Sequence, residues 1–424
     1  MAYRRDRLQI TAWAIPMLYA AAAITAGLTF PRIETHIWPG LVAGMNVSAA
    51  MSIYSSIASG MIALTGIVFS LIFVMVTFSA TAYSPRLALW VARDPVVSHA
   101  LGVFTATFLY AFAALAWVDR SGSGKVPVIS AWLLIALLLA SVAMLVALIQ
   151  RIGLLQIGRM LTFTGNQGRK VITTTYPLAE SVVPAGRPDE FRKRPQIQKV
   201  IHHGPPRSVQ AVDMEALVKL AETSDGVIEM TAAVGDTVLE LMPLLHVFGA
   251  GQTIDESKLR DAIELGDERT FEQDPKYAIR LLVDIAIRAL SPAVNDPTTA
   301  VQALDQIGDL LLRLGRRRLE IGDFRDGSGK IRLVIPFPAW EDFVRLALDE
   351  ILFCGANSIQ VMRRMNALVS DLIRVVPEER RAVLKYWQVR LKSSIVRSFA
   401  DEQDKLDASV ADRQGLGIPQ QRSA

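Results

Sequence analysis

The residues best spaced for chemistry lie between Arg269 and Thr298. This stretch gathers Arg269, Asp274, Asp284, Arg288, Ser291, Asn295 and Asp296. It also repeats one device. Asp274-Pro275-Lys276-Tyr277-Ala278-Ile279, followed by Leu282 and Ile285, returns 22 residues on as Asp296-Pro297-Thr298-Thr299-Ala300-Val301, followed by Leu304 and Ile307. An aspartate accepts from the free N–H groups of a helix start, and proline in the first turn gives up a donor that had no partner there. The apolar residues behind each pair fall on one buried stripe. The spacing predicts two helices joined by Ser291-Pro292-Ala293-Val294-Asn295, with Asp284 and Arg288 placed as an i,i+4 pair. Two outcomes are open. The polar groups are caps and an ion pair that fix a hinge, or they line a ligand pocket at the mouth of two helix N-termini. Such ends favour an anion. Asp274 and Asp296 already occupy them and would repel one, so a cation is equally compatible.

A second pattern is physical rather than catalytic. Ser52, Ser55, Ser59, Gly66, Ser70 and Thr77 recur at steps of three, four and seven inside an apolar run. At about 100° per residue they share one helical sector of roughly 80°. Small side chains let helices approach closely in a membrane, and hydroxyls also suit the wall of a water-filled path. Both readings of the stripe are open. A milder set, Ser98, Gly102, Thr105, Ala113 and Ala116, offers it a partner.

Signatures of catalysis are missing. The chain has no Gly-rich phosphate loop with a lysine, no Gly-x-Ser-x-Gly and no His-Glu-x-x-His. No catalytic residue, metal site or cofactor is therefore expected. Cys354 is the single cysteine, which rules out an intrachain disulfide. His202-His203 sits among prolines and glycines, where neighbouring rings point apart.

These groups must be carried by two unlike parts. Apolar residues make up 51% of the 424, and charged residues 20%. Only 8 of the 45 Lys and Arg and 4 of the 41 Asp and Glu fall in residues 1–150. The net charge of +4 belongs to that apolar third, so there is no basic domain for nucleic acid. A bilayer core needs roughly 20 apolar helical residues. Spans are expected at about 8–30, 56–78, 96–118 and 126–150, with Leu41–Ile53 as a lead-in and no Asp, Glu, Lys or Arg inside a span. Five spans are the alternative. Nine basic residues flank one side and three the other. The positive-inside rule then puts both termini in the cytoplasm. The fold class is a four-span α-helical membrane protein with a mixed α/β, mainly helical cytoplasmic domain. Its partners are membrane lipids and further copies of itself.

The divisions are a membrane domain at 1–164, a Pro-rich linker at 165–207 and a small β-containing module at 208–250. A helical hairpin module at 251–322, a C-terminal helical region at 323–400 and a disordered tail at 401–424 follow. In the module, Val209–Val212, Val227–Met230 and Thr237–Val247 read as strands around a Gly235-Asp236 turn, and Met214–Thr223 as a helix. Beyond Asp323, three helices are expected at Trp340–Cys354, Ile359–Val375 and Glu378–Phe399. Arg363, Arg364, Arg374, Arg380 and Arg381 would form a solvated face.

Several runs resemble a widespread bacterial family of predicted inner-membrane proteins filed as a domain of unknown function. They are Phe69-Ser70, Ser84-Pro85-Arg86, Gly102-Val103-Phe104 with Thr107-Phe108 and Tyr110, and the long run Asp284–Pro297. The resemblance spans roughly residues 10–390. It implies a multispan membrane protein with a cytoplasmic domain and no assigned activity. Members tend to carry a Ser-Gly-Tyr-Val-Gln type sequence where this chain has Arg207-Ser208-Val209-Gln210. With no intramembrane charge, a channel-like or solute-permeation protein is expected, and a scaffold or sensor without transport is the alternative.

Overall fold

Long apolar segments can satisfy their backbone in lipid only as helices. Four form here: α1 (Ala14–Ile37), α2 (Val47–Ala82), α3 (Pro95–Ser121) and α4 (Val128–Ile152). Each is long and apolar enough to cross a membrane. The computed structural model describes residues 14–37, 46–82, 95–121, 126–152, 157–179, 188–249 and 251–413. The chain divides into two units, Met1–Gln156 and Ile157–Ala424.

In the first unit α3 is the inner helix. Half of its apolar window is buried, against 17% for each of the other three. Its glycine and alanines meet bulky or small partners on α1. A side chain on Gly102 would strike the Tyr19 ring, and one on Gly27 would strike Ala113. The small set on the third span therefore serves α1, where the sequence placed it against the second span. Thr107 Oγ1 and Ser141 Oγ, 2.8 Å apart, tie α3 to α4. α2 packs on α3 through Tyr54, Ala58, Met61 and Val68.

Two expectations are corrected in this unit. α2 is one continuous helix of 36 residues, so the lead-in is helical from Val47 and there is no pair of short spans. α1 runs past the expected end at Phe30 to Ile37 and carries Glu34 with it, buried at 2% exposure. Glu34 caps the start of α4. Its Oε1 accepts from Ile129 N at 2.7 Å, and its Oε2 from Ser130 N and Ser130 Oγ at 3.0 Å. A carboxylate is retained there because helix N–H groups without partners are costly in an apolar surrounding.

The second unit opens with α5 (Ile157–Thr175), then a 3-10 turn at Pro188–Lys193 and strands β1 (Gln196–Ile201) and β2 (Arg207–Val212). Next come α6 (Met214–Thr223), β3 (Gly226–Met230), β4 (Thr237–Val238), β5 (Pro243–Gly249), α7 (Glu256–Asp261) and β6 (Ile263–Gly266). The remainder is α8 (Pro275–Ala289), α9 (Pro297–Gly315), β7 (Asp323–Arg325), β8 (Ile331–Val334), α10 (Trp340–Gly355), α11 (Ile359–Val375), α12 (Glu378–Ser398) and α13 (Glu402–Ser409). One sheet has the order β1-β5-β3-β8-β7, antiparallel except for β3 with β8, and the other is β4-β2-β6. Leu217, Ile228, Leu245, Val247 and Leu333 fill the core between α6 and the sheets.

The two Asp-Pro helices form as the spacing predicts. Ala278, Ile279, Leu282 and Ile285 of α8 and Ala300, Val301, Leu304 and Ile307 of α9 are all buried. The stretch expected as a linker is instead partly core. α5 lies on α8 and α9, and a side chain on Gly168 would come within 2.9 Å of Leu310 and Ala278. Glycine permits that approach. β1 adds an edge strand within the same stretch. The strand expected over Thr237–Val247 is broken, because Leu241 turns into the left-handed region at φ +66°. The C-terminal helices match closely. The tail carries α13 on α11, with Asn366 Nδ2 donating to Ala408 O at 3.1 Å, and residues 414–424 lie outside the described ones. The arginines are struts more than a solvated face. Arg380 donates to Leu314 O and Arg317 O, and Arg364 pairs with Asp305 at 2.6 Å.

Candidate functional site

A helix of 15 residues is about 22 Å long, and α8 separates the two aspartates by that length. Asp274 caps α8 at one end. Asp296 caps α9 at the other, accepting from Thr299 N at 3.1 Å. The single mouth expected from two helix N-termini is thus replaced by two separate ends, because the hairpin is antiparallel. At the Asp296 end the joint closes on itself. Ser291 Oγ donates to Arg288 O at 2.7 Å, Asn295 N to Ser291 O at 2.9 Å, and Asp296 N to Ala289 O at 2.8 Å. Asn295 takes a left-handed φ of +48°, and Pro292, Ala293, Val294 and Asn295 are exposed. Asp284, midway along α8, accepts from Arg280 Nε at 2.7 Å, and Arg280 also reaches Glu350 on α10. Arg288 keeps a buried Nε without a hydrogen-bond partner.

The Asp274 end has the features of a site. Asp274 is 2% exposed. Its Oδ1 accepts from Lys276 N at 3.0 Å, while Oδ2 is buried with no hydrogen-bond partner. Arg269 Nη1 stands 3.9 Å from Oδ2, so these two of the expected residues do meet. Above the carboxylate sits the Gly235-Asp236 turn. A side chain on Gly235 (φ +89°) would collide with Oδ2, so glycine is required for both the turn and the approach. Lys276 Nζ lies 3.5 Å from Asp236 Oδ1. Tyr176 contributes a second buried oxygen without a partner. Asp274, Lys276, Tyr176, Val234, Phe337 and Pro338 line one small cleft, with room for about one water-sized group.

Burial pushes the Asp274 carboxyl up to about 6, against the opposing pull of Lys276 and Arg269. Burial, then the Asp274 charge, hold the Tyr176 phenol well above its ordinary range. The arrangement can take a donor at Oδ2 and a donor or acceptor at Tyr176, on an apolar rim. Tyr176 and Phe337 were missed by sequence reasoning. Both lie far in sequence from Asp274, and only the fold brings them in. Among the described residues no group of three or more His, Cys, Asp or Glu could hold a metal ion. His202 is buried, with Nε2 2.8 Å from Pro205 O.

In the first unit the expected stripe is present as one face. Ser52, Ser55, Ser59, Gly66, Ser70 and Thr77 are all exposed, on the side of α2 roughly opposite the buried Tyr54, Met61 and Val68. Nothing lies within 4 Å of a side chain built on Gly66. Close packing within the chain is therefore not what the stripe does. Ile62, Ile67 and Phe69 flank it as exposed apolar ridges, and Phe73, also exposed, interrupts it as its one bulky member. Thr77 Oγ1 donates back to Phe73 O at 2.9 Å.

A family model described as a predicted membrane protein, DUF2254, matches residues 9–371. Two uncharacterised proteins, one from Mycobacterium tuberculosis and one from Mycobacterium bovis, are each 26% identical over 415 residues. The match covers 94% of this chain and 79% of each relative. No solved structure matches the chain.

Proposed function

Given that the chain belongs to the DUF2254 family of predicted membrane proteins, we propose that it is a homo-oligomeric, channel-like protein of the bacterial inner membrane. The α2 hydroxyl stripe lines a path shared between copies. The second unit is cytoplasmic, as are both termini, and responds to a small ligand. One observation carries this reading: the polar stripe of α2 turns away from its own bundle. Lipid gives small polar groups no reason to gather on one face, whereas a shared axis does. The nine-to-three bias of flanking basic residues supports the orientation. The test is ion flux through proteoliposomes of the purified chain, with Ser59→Leu and Ser70→Leu alongside. Flux that both substitutions reduce at least tenfold is expected. Flux equal to that of empty liposomes, or unchanged in both variants, would sink it.

A second reading, a membrane-anchored sensor or scaffold without transport, is favoured by the Asp274 cleft. Its two unpartnered buried oxygens suit a small donor group, and a cleft of this kind needs no pore. A chain without flux that still binds such a compound, with binding lost in Tyr176→Phe, would favour this reading.

A further inference from the structure

In α12 the residues Ala382, Tyr386, Val389, Ser393 and Val396 recur at alternating steps of four and three. That spacing draws a straight seam along a helix. A seam of this kind is normally buried, but all five residues are exposed, Tyr386, Val389 and Val396 by 60% or more. The opposite face is the one that packs, through Leu384, Trp387, Leu391 and Ile395. α10 runs parallel beside α12: Trp340 Nε1 donates to Arg380 O, and Asp349 pairs with Arg390 at 2.9 Å. One turn beyond Asp349, Phe353 is 86% exposed.

Beyond Glu378 and Glu379 in the first turn, the charges beside the seam are basic. Lys385, Lys392 and Arg397 are exposed and have no carboxylate partner among the described residues, and Arg390 is held by Asp349. Two copies joined along this seam would bring the unpaired Lys385 and Lys392 against one another. An anionic surface meets the same pattern favourably. Tyrosine, valine and phenylalanine enter the headgroup boundary, and the long basic side chains reach the phosphates. The chain carries its own bilayer with it, through four apolar helices.

We propose that the exposed face of α12, with Phe353, is a docking surface for anionic phospholipid. The inference requires a membrane-embedded chain and does not depend on transport. Each basic residue near an anionic leaflet is worth about fivefold in partitioning, so the three unpaired ones together give about a hundredfold.

The test uses the full chain in lipid nanodiscs, in a Cys354→Ser background with Val389→Cys carrying a nitroxide. Collision of the label with lipid-dissolved oxygen is compared with collision with an aqueous nickel chelate. In discs rich in phosphatidylglycerol the oxygen-to-nickel ratio should rise several-fold over discs of phosphatidylcholine alone. High salt should reverse the rise. The triple variant Lys385→Gln, Lys392→Gln, Arg397→Gln should abolish it, while Tyr386 and the packed face stay intact. Equal ratios in both lipids overturn the proposal. So does nickel protection in detergent that grows with protein concentration, which would make a second copy the occupant.

Discussion

At Asp274 one carboxylate oxygen caps α8 and the other is buried without a partner. Burial lifts the carboxyl from 3.8 to about 6. Between those values the native state keeps a proton that the unfolded chain has lost. The stabilisation is therefore complete below about pH 3.8 and is lost as pH rises through about 6. At 1.36 kcal/mol per unit the change is about 3 kcal/mol. Asp274→Asn keeps the cap and cannot titrate. Subtracting its stability from that of the unsubstituted chain, by denaturant unfolding from about pH 3 to about pH 8, should show a loss of this size. Parallel curves would mean that burial does not control Asp274. The cap itself was legible in the sequence, because aspartate before proline is a local device. The cleft was not, since Tyr176, Gly235 and Phe337 come to it from three distant stretches.

α1 and α4 are held together by a polar contact inside an apolar bundle. Glu34→Ala leaves Ile129 N and Ser130 N without acceptors at the start of α4. Such a cap, made by a charged acceptor, is worth about 2 kcal/mol. Thermal unfolding in detergent should fall by several degrees, and Glu34→Gln should recover part of the loss by keeping one acceptor. An unchanged midpoint for Glu34→Ala would assign the α1–α4 contact to apolar packing alone. The sequence marks this residue poorly, because Pro31-Arg32 looks like the end of a span and the helix continues through it. It marks the two Asp-Pro helices and the three C-terminal helices well, because period and caps agree there. The start of α5 was legible, since residues 151–164 read as a helical pattern leaving the membrane, but its second half, from Gly165, was hidden for a different reason. Its glycines and polar residues suggest a linker, and only the neighbouring helices show that Gly168 is a point of close approach.

For the molecule as an assembly, the α2 stripe sets the question of copy number. Its existence was legible from period alone, but its direction depended on which face Tyr54 and Met61 used for packing. If the stripe faces other copies, Ser59→Cys in a Cys354→Ser background should form disulfide-linked dimers on mild oxidation in membranes. Leu139→Cys, on an exposed apolar face of α4, is the control. Dimers from Leu139→Cys and none from Ser59→Cys would place the interface elsewhere. The Glu34 cap bears on how this assembly is made in time. Its acceptor lies 95 and 96 residues ahead of the donors it serves. At a synthesis rate of about 5–20 residues per second that gap lasts roughly 5–20 s. During it α1 has left the ribosome while its carboxylate still lacks a counterpart, so Glu34 is expected to wait at the lipid headgroups. The arrival of α4 then closes the bundle, which makes the last span to be synthesised the one that fixes the first.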